Sequence, residues 1–181
     1  MIRLASSSIT RAILLREVGI DFLQESVGFD EDSIIATSPK NFVYQATYGK
    51  YKANLKAFGC SDHPILVADT VVTSQGKILR KAKCVDDARN ILMTQSGNVT
   101  SIVTCMIYQS LDQNIVDISQ TDYIFDEFNQ DDLESYLESG EWRGKAGACM
   151  VEGFCKSYIK KFHGYESTAM GLNVEVLKSF I

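Results

Sequence analysis

The apolar run PILVADTVV at residues 64–72 constrains the fold of this chain more than any other segment. Its density of β-branched residues predicts a strand in the core of a sheet. The next four residues, SQGK, have the composition of a turn that leads into the extended segment ILRK. Any fold of this chain must therefore supply neighbouring elements that cover this strand.

Segments with helical signals alternate with the strands. Ile9–Val18 carries apolar residues on one face, and Gly19 is placed to end it. A longer helix is predicted from Pro39 to Phe58, with Ser38 as its N-cap and Gly59 after its last turn. The segments VDDARNILMTQSG and NQDDLESYLESG have acidic first turns and also favour helices.

Extended segments make up most of the remaining chain. The segment Ile2–Ala5 predicts a short buried strand. IDFLQESV has an alternating pattern, which predicts a second strand. Two longer segments, VTSIVTCMIYQ and IVDISQTDYIF, are joined at SLDQN and favour an antiparallel hairpin. EWRGKAGA predicts a glycine-rich loop and LNVEVLKSF a short C-terminal helix. Because helices interleave with a mixed sheet and no repeat or linker occurs, we predict one α/β domain over residues 1–181.

Composition excludes several classes of protein. No apolar stretch approaches the roughly 20 residues that a membrane helix needs, and no signal segment is recognised. The net charge of −5 offers no basic face for nucleic acid. Five cysteines without C-x-x-C spacing and two isolated histidines argue against a disulfide framework, a zinc site and a Ser-His-Asp triad. We therefore expect a cytoplasmic protein that binds neither membranes nor nucleic acid.

Three consecutive serines, Ser6 to Ser8, lie where the first strand runs into the first helix. The first N–H groups of a helix have no partner within it and can bind phosphate oxygens. The serine hydroxyls add donors at the same place, and Arg11 can form a fork of hydrogen bonds to a phosphate. Simple capping of the helix by one serine is the alternative interpretation. Neither the P-loop nor the Rossmann glycine pattern is present.

Positive charge is clustered although the chain is acidic. Lys50, Lys52 and Lys56 form one group, and residues 77–83 contain another. Such clusters suggest a small polyanionic ligand, and solvated surface lysines are the alternative. Asp69 ends the apolar run PILVA. A carboxylate at the end of a buried strand is costly unless it opens on a cleft or has partners, although it can also mark the point where a strand meets the surface.

These segments together resemble a known family. LASSSITRAILL is similar to the N-terminal signature of the Maf-like nucleoside triphosphate pyrophosphatases. Further segments are similar to family motifs in the same order: KYKANLKAFG, VADTVV, GKILRKA, SGNVTSIVT, GKAGACMVEG and GYESTAMGL. The resemblance covers nearly the whole chain, and the combination is specific although each piece alone is weak.

The resemblance implies a fold and an activity. The fold is a mixed, twisted sheet with flanking helices, in two lobes around a deep nucleotide cleft, often within a homodimer. The activity is hydrolysis of a standard or modified nucleoside triphosphate between its α and β phosphates, to monophosphate and pyrophosphate, with Mg²⁺ or Mn²⁺. Such an enzyme would maintain the nucleotide pool, and the family is also linked to arrest of septum formation. The alternative is a nucleotide-binding regulator of septum formation with weak or lost hydrolysis.

The resemblance also implies catalytic residues. Asp69 of the ADT motif corresponds to the proton acceptor for the attacking water, a role that suits a positioned carboxylate. Lys52 corresponds to the lysine of the family's KA motif, and Lys81 to the lysine of its GKP motif, although the triplet here is RKA. Glu31 corresponds to an acidic residue before the long helix. We assign it, with Asp69, to a divalent metal, and binding of phosphate-bound water is the alternative for Glu31.

The phosphate-binding set implied by the resemblance consists of Ser6, Ser8, Arg11 and Lys145. Cleavage of a phosphoanhydride spreads negative charge over several oxygens, so the reaction needs cations and hydroxyl donors around them. The chain departs from the family pattern at Ile9, Ala82 and Asn173, where proline is usual, and at Thr100, where histidine is usual. These departures keep the regulator as an alternative.

Three positions resemble the family's substrate-specificity set: Thr10, Thr70 and Glu152. Thr70 matches the type that acts on dTTP and UTP, Glu152 matches the 7-methyl-GTP type, and Thr10 matches neither. A carboxylate only accepts hydrogen bonds, which suits the N1–H and amino donors of a guanine. We therefore favour a purine or modified purine as a hypothesis, with a pyrimidine as the alternative.

Overall fold

The structure is a computed structural model, and it describes residues 1–31, 34–36 and 38–181. The strands are β1 (Ile2–Leu4), β2 (Phe22–Gln24), β3 (Ile65–Ser74), β4 (Lys77–Leu79), β5 (Val99–Gln109), β6 (Asn114–Phe125) and β7 (Ile159–His163). The helices are α1 (Ile9–Glu17), α2 (Pro39–Phe58), α3 (Val85–Gln95), α4 (Gln130–Ser139), α5 (Glu166–Ala169) and α6 (Val174–Leu177). A short 3₁₀ helix spans Phe154–Tyr158.

The strands form one mixed sheet in the order β2-β1-β3-β5-β6-β7, with β4 added to β3. β1 is parallel to β2 and to β3, whereas β4 is antiparallel to β3 and β7 is antiparallel to β6. β5 and β6 are neighbours joined by residues 110–113, as the predicted hairpin requires. Helices separate strands along the chain, so the prediction of an α/β fold with a mixed sheet is confirmed.

Residues 65–72 of the apolar run lie in β3. Its residues from Ile65 to Ala68 are at most 1% exposed, which confirms a core strand flanked by β1 and β5. The turn into β4 has Gln75 and Gly76 with φ values of 50° and 73°. Two successive positive φ values are typical of the tight turns that match the twist of a hairpin.

Two differences from the predicted strands lie at the edges of the sheet, whereas the helix α5 and the 3₁₀ helix are further elements that were not predicted. The second predicted strand, IDFLQESV, is reduced to Phe22–Gln24, because β2 pairs only with the three residues of β1. β7 was not predicted, since most of its residues are exposed and two are lysines, which removes the apolar alternation of a half-buried strand. It instead follows from pairing with β6.

The described chain divides into two compact units. Unit 1 comprises Met1–Thr70, Val103–Ser119 and Tyr165–Ile181. Its main apolar cluster joins α1 and α6 to β1, β3 and β5, and its fully buried members include Leu4, Leu15, Leu66, Met106, Leu172 and Leu177. The single domain and the two-lobed cleft of the sequence analysis stay predictions.

Unit 2 comprises Val71–Ile102 and Gln120–Gly164. Here α3 contacts α4, and both guanidinium Nη atoms of Arg89 donate to the carboxylate of Glu134, with Nη2 2.8 Å from Oε2. Trp142 is fully buried, and its Nε1 donates to the carbonyl of Leu137 over 2.9 Å. The long side chains Leu92, Phe125 and Leu133 are also fully buried in this unit.

One pair of cysteines is joined in the structure. Cys149 and Cys155 form a disulfide, whereas the odd number of cysteines argued against a disulfide framework. The remaining three, Cys60, Cys84 and Cys105, are free thiols. The pair lies within a turn-rich segment, so two cysteines meet there without any larger framework. Within the described residues, no helix combines the length and apolar character needed to cross a bilayer.

Candidate active site

The serine row is a helix cap in this structure. Ser8 is the N-cap of α1, and its hydroxyl accepts from the backbone N–H of Arg11 at 3.3 Å. The Ser6 hydroxyl is buried and accepts from the N–H of Ser8 at 3.2 Å and from Nη1 of Arg11 at 3.0 Å. Gln24 on β2 donates to the carbonyl oxygens of Ser6 and Ser8. Capping, the alternative interpretation of the row, is therefore observed, and phosphate binding stays a prediction.

The Arg11 guanidinium binds three partners in unit 1, two of which are far away in sequence. Its Nε donates to the carbonyl of Gly171 at 2.7 Å, Nη1 to Ser6, and Nη2 to the hydroxyl of Thr70 at 3.3 Å. Burial lowers the pKa of Arg11, and the negative charges of Asp69 and Glu31 act in the opposite direction. Gly171 has a φ of 104°, and a Cβ there would lie 3.3 Å from the Thr70 hydroxyl. Glycine therefore permits both the turn and the contact.

Threonine hydroxyls continue from Arg11 into the core of unit 1. The hydroxyls of Thr70 and Thr104 are 2.9 Å apart, and Thr104 donates to the carbonyl of Thr168 at 2.7 Å. Since Thr104 has one hydroxyl proton, Thr70 must be the donor between the two threonines. The Thr70 hydroxyl thus supports Arg11, and its part in base selection stays a prediction.

Asp69 lies inside β3 where the strand's fully buried stretch ends, and it is 8% exposed. The ammonium Nζ of Lys50 is 2.7 Å from its Oδ1 and 2.6 Å from Oε1 of Glu31. One lysine therefore joins the two carboxylates that the sequence analysis assigned to a metal. Lys50 was not among the predicted site residues. The predicted Lys52 is exposed and lies over the ring of Tyr48, 5.5 Å from its centre, and its catalytic role stays a prediction.

The segment that carries Glu31 is fastened to α2 at two points. The side-chain oxygen of Asn54 accepts from the N–H of Val27 at 2.9 Å, and its nitrogen donates to the carbonyl of Lys50 at 2.8 Å. The ring of Phe29 lies against Gly49, where an added Cβ would be 2.2 Å from the nearest ring atom. These contacts bring Glu31, two residues after Phe29, to the ammonium of Lys50.

Unit 2 brings together two other predicted residues, Lys81 and Lys145. Lys81 pairs with Ala146 as an isolated bridge, so that the glycine-rich loop containing Lys145 lies beside the end of β4. Gly147 secures this arrangement. Its N–H donates to the carbonyls of Leu79 and Arg80 at 3.2 and 3.3 Å. A Cβ on Gly147, which has a φ of 65°, would lie 2.8 Å from Cγ1 of Val72.

The last two predicted specificity residues lie in different units. Thr10 is half-buried in the first turn of α1 in unit 1. Glu152 is exposed in the turn before the 3₁₀ helix of unit 2. Burial, then the charges of Glu141 and Glu152, raise the pKa of Tyr136 to about 12. Glu152 is thus close enough to Tyr136 for its charge to act on that side chain.

Comparison with known proteins now identifies the family. A sequence model of the family described as Maf-like protein matches residues 1–181. The chain belongs to the Maf family.

Three relatives of this Maf chain are named nucleoside triphosphate pyrophosphatase. A nucleoside triphosphate pyrophosphatase of a Nitratiruptor species is 54% identical over 179 residues, which are 98% of this chain and 96% of that protein. A protein of the same name from Helicobacter pylori is 40% identical over 96% of this chain and 91% of its own. Another from Campylobacter jejuni subsp. jejuni is 35% identical over the full length of both.

The acidic pair fits a divalent cation by its chemistry. Asp69 and Glu31 each direct one oxygen at the same positive charge, and carboxylate oxygens are the ligands that Mg²⁺ prefers. Among residues 1–31, 34–36 and 38–181 no group of three or more His, Cys, Asp or Glu forms a metal cage. Two carboxylates suit a cation that takes its other ligands from substrate phosphates and water.

Two positions where this Maf chain departs from the family pattern have clear local roles. Asn173, in place of the usual proline, is the N-cap of α6, and its side chain accepts from the N–H of Val176 at 3.1 Å. Thr100, in place of the usual histidine, is fully buried in β5. The first departure changes how a helix begins, and the second puts a small side chain into the core.

Proposed function

We propose that this Maf chain hydrolyses a nucleoside triphosphate, standard or modified, between the α and β phosphates, and so maintains the nucleotide pool. The names of its relatives support the reaction. The observation that carries the proposal is the convergence of Asp69, Glu31 and Lys50 beside the half-buried Arg11 in unit 1. Carboxylates and cations gathered where the buried part of β3 ends are the groups that anhydride hydrolysis requires.

Asp69 is the proposed general base. The oxygen of a water molecule attacks the α phosphorus, and the bond from that phosphorus to the oxygen bridging to the β phosphate breaks. Pyrophosphate leaves with the bonding electrons, and the proton of the water passes to Asp69. Since Oδ1 is paired with Lys50, we assign the proton to Oδ2. Partial burial and β3 hold this carboxylate in one orientation, which a positioned base requires.

Cationic side chains supply charge stabilisation in the proposal. The proposed residues are Arg11, Lys52, Lys81 and Lys145. Ser6 and Ser8 are proposed to donate hydroxyl protons to phosphate oxygens. Negative charge develops on the leaving pyrophosphate, and fixed cations stabilise it without having to reorganise.

We propose Mg²⁺ or Mn²⁺ as the cofactor, held by Glu31 and Asp69. The cation, when bound, neutralises phosphate charge and polarises a phosphoryl oxygen. The two carboxylates then have separate tasks. Glu31 serves only as a ligand, whereas Asp69 uses one oxygen as a ligand and the other as the base.

The preferred base, the compartment and the assembly complete the proposal. Glu152 is proposed to accept from the N1–H and amino groups of a guanine-type base, because a carboxylate can only accept.

We place the enzyme in the cytoplasm, where nucleoside triphosphates are abundant, acting on free nucleotides rather than on nucleic acid or membranes. A homodimer is proposed from the family resemblance, and light scattering after gel filtration would measure its mass.

The first experiment measures pyrophosphate release from a panel of ordinary and modified nucleoside triphosphates with Mg²⁺ or Mn²⁺. Asp69→Asn is expected to lower turnover by about 10²–10⁴-fold, because it removes the base and keeps the shape. Asp112→Asn, an exposed aspartate in the loop between β5 and β6, serves as the matched control and should be unaffected.

Other results of this experiment would contradict particular parts of the proposal. Full activity of Asp69→Asn would remove that residue as the base. A pyrimidine triphosphate as the best substrate would overturn the assignment of Glu152 to a guanine-type base. No turnover with any nucleotide, together with thermal stabilisation by one of them, would favour the nucleotide-binding regulator of septum formation over the enzyme. Ligand at 100 times its Kd should add about 2.7 kcal/mol to the free energy of unfolding.

A further inference from the structure

Lys50 in unit 1 forms ion pairs with two carboxylates at once. Its Nζ lies 2.7 Å from Oδ1 of Asp69 and 2.6 Å from Oε1 of Glu31, while its side chain is 22% exposed. The Asp69 side chain is 11% exposed, so its negative charge is largely removed from water. Two carboxylates brought this close repel each other unless a cation lies between them. Lys50 supplies that cation from within the chain.

The backbone fixes Lys50 at this point. It lies in the middle of α2, and its carbonyl accepts from Asn54, whose side-chain oxygen accepts in turn from Val27. Phe29 packs on the adjacent Gly49. The same stretch of α2 therefore positions both the backbone of Lys50 and the segment that carries Glu31. The ammonium remains the mobile part, because four methylene groups connect it to the helix.

An ammonium and a divalent cation cannot share these oxygens. Mg²⁺ lies about 2.0–2.1 Å from its ligand oxygens, and it repels a second positive charge that contacts the same carboxylates. A divalent cation that binds Asp69 and Glu31 must therefore displace Nζ of Lys50. The displaced ammonium keeps its charge and can pair with a phosphate oxygen instead.

We propose that Lys50 is a resident counter-ion that competes with the divalent cation for Asp69 and Glu31, which makes it a positioning residue of the site. The inference rests on the proposed function for its cation site. In the nucleotide-free protein the lysine keeps the carboxylates together and holds the affinity for free divalent cations low. Triphosphate oxygens add ligands for the cation and a partner for the ammonium, so nucleotide and cation bind together.

The test measures Mn²⁺ binding to the nucleotide-free, full-length protein by calorimetry and by electron paramagnetic resonance. Lys50→Gln is expected to bind Mn²⁺ at least about tenfold more tightly than the wild type, since a competing unit charge within contact distance is removed. Lys56→Gln changes the same charge in the last turn of the same helix and should stay within about twofold, because solvent and salt screen it. A merely structural role of Lys50 predicts the opposite sign, weaker binding in Lys50→Gln.

A second variant separates the effect of losing the charge from an effect on folding. Lys50→Arg keeps the positive charge and should bind Mn²⁺ as weakly as the wild type, with an unchanged circular dichroism spectrum. Equal or weaker binding by Lys50→Gln, or Lys50→Arg binding as tightly as Lys50→Gln, would overturn the inference. Pyrophosphate release is scored separately. If the wild type shows no turnover but Lys50→Gln binds Mn²⁺ more tightly, the proposed function is contradicted and the counter-ion role is supported. If the wild type turns over normally but Lys50→Gln does not bind Mn²⁺ more tightly, the proposed function is supported and the counter-ion role is contradicted.

Discussion

Arg11 depends on a series of hydroxyl groups whose direction is fixed. Thr104 gives its one hydroxyl proton to the carbonyl of Thr168, so Thr70 donates to Thr104 and accepts from Arg11. Thr104 is 1% exposed, and water cannot replace a lost partner there. Replacing Thr104 leaves the hydroxyl of the half-buried Thr70 without its acceptor.

Thr104→Val should therefore lower the free energy of unfolding by about 1–3 kcal/mol, because the Thr70 hydroxyl loses its acceptor. Urea unfolding measures the change. Thr100→Val is the matched control in the same strand. The Thr100 hydroxyl is buried and has no hydrogen-bond partner among the described residues, so its replacement by a methyl group should be neutral or stabilising. Equal losses in both variants would contradict the hydroxyl series.

The lysine that reaches the acidic pair could have been found by helical spacing. Val43, Ala46 and Thr47 are buried on one side of α2, and Lys50 and Asn54 continue that stripe at intervals of three and four. The motif match pointed to Lys52, which lies on another face of the helix. Motif position and side-chain direction are separate pieces of information, and a motif match contains only the first.

At the scale of elements, α2 positions the groups that surround the carboxylates of Asp69 and Glu31. Gly49 gives space to the ring of Phe29, Lys50 bridges the carboxylates, and Asn54 binds the backbone of Val27. A glycine in the middle of a helix is unfavourable by about 1 kcal/mol relative to alanine. The contact with Phe29 explains why a glycine occurs there.

Gly49→Ala should reveal that contact in a double-mutant cycle. In the wild-type background the new Cβ displaces the Phe29 ring, which offsets the gain in helix propensity, so the variant should be neutral or destabilised. In a Phe29→Ala background the same change should stabilise the protein by about 0.5–1 kcal/mol. Urea unfolding of the four proteins gives the coupling energy, expected at about 1 kcal/mol or more. Equal stabilisation in both backgrounds would show that the ring does not lie on Gly49.

At the scale of the whole molecule, local signals predicted the long elements and missed those that depend on distant partners. The caps of α1, α2 and α4 at Ser8, Ser38 and Asn129 each bond to the first turn of their helix, so sequence alone could locate α2 and α4. The strand order of the sheet follows from pairings between segments far apart in sequence. For the same reason two partners of Arg11, Gly171 and Thr70, carry no local signal.

The cysteines of the whole chain give a further prediction. Cys149 and Cys155 are paired across a separation of six residues, while Cys60, Cys84 and Cys105 are free. Without reductant, the denatured protein should react with three equivalents of a thiol reagent, and after reduction with five. Because a short closed loop restricts the unfolded chain, reduction should lower the free energy of unfolding by about 2 kcal/mol.

Cysteine variants separate this disulfide from other effects of the reductant. Cys149→Ser removes the bond, so reductant should no longer change its stability, whereas Cys84→Ser changes an exposed free thiol and should respond to reductant as the wild type does. Glu152 lies within the closed loop, so the bond also restrains the segment to which we assign base recognition. We therefore expect reduction to raise KM for the best nucleotide more than it lowers kcat. Five reactive thiols without reductant would show that the bond does not form in solution.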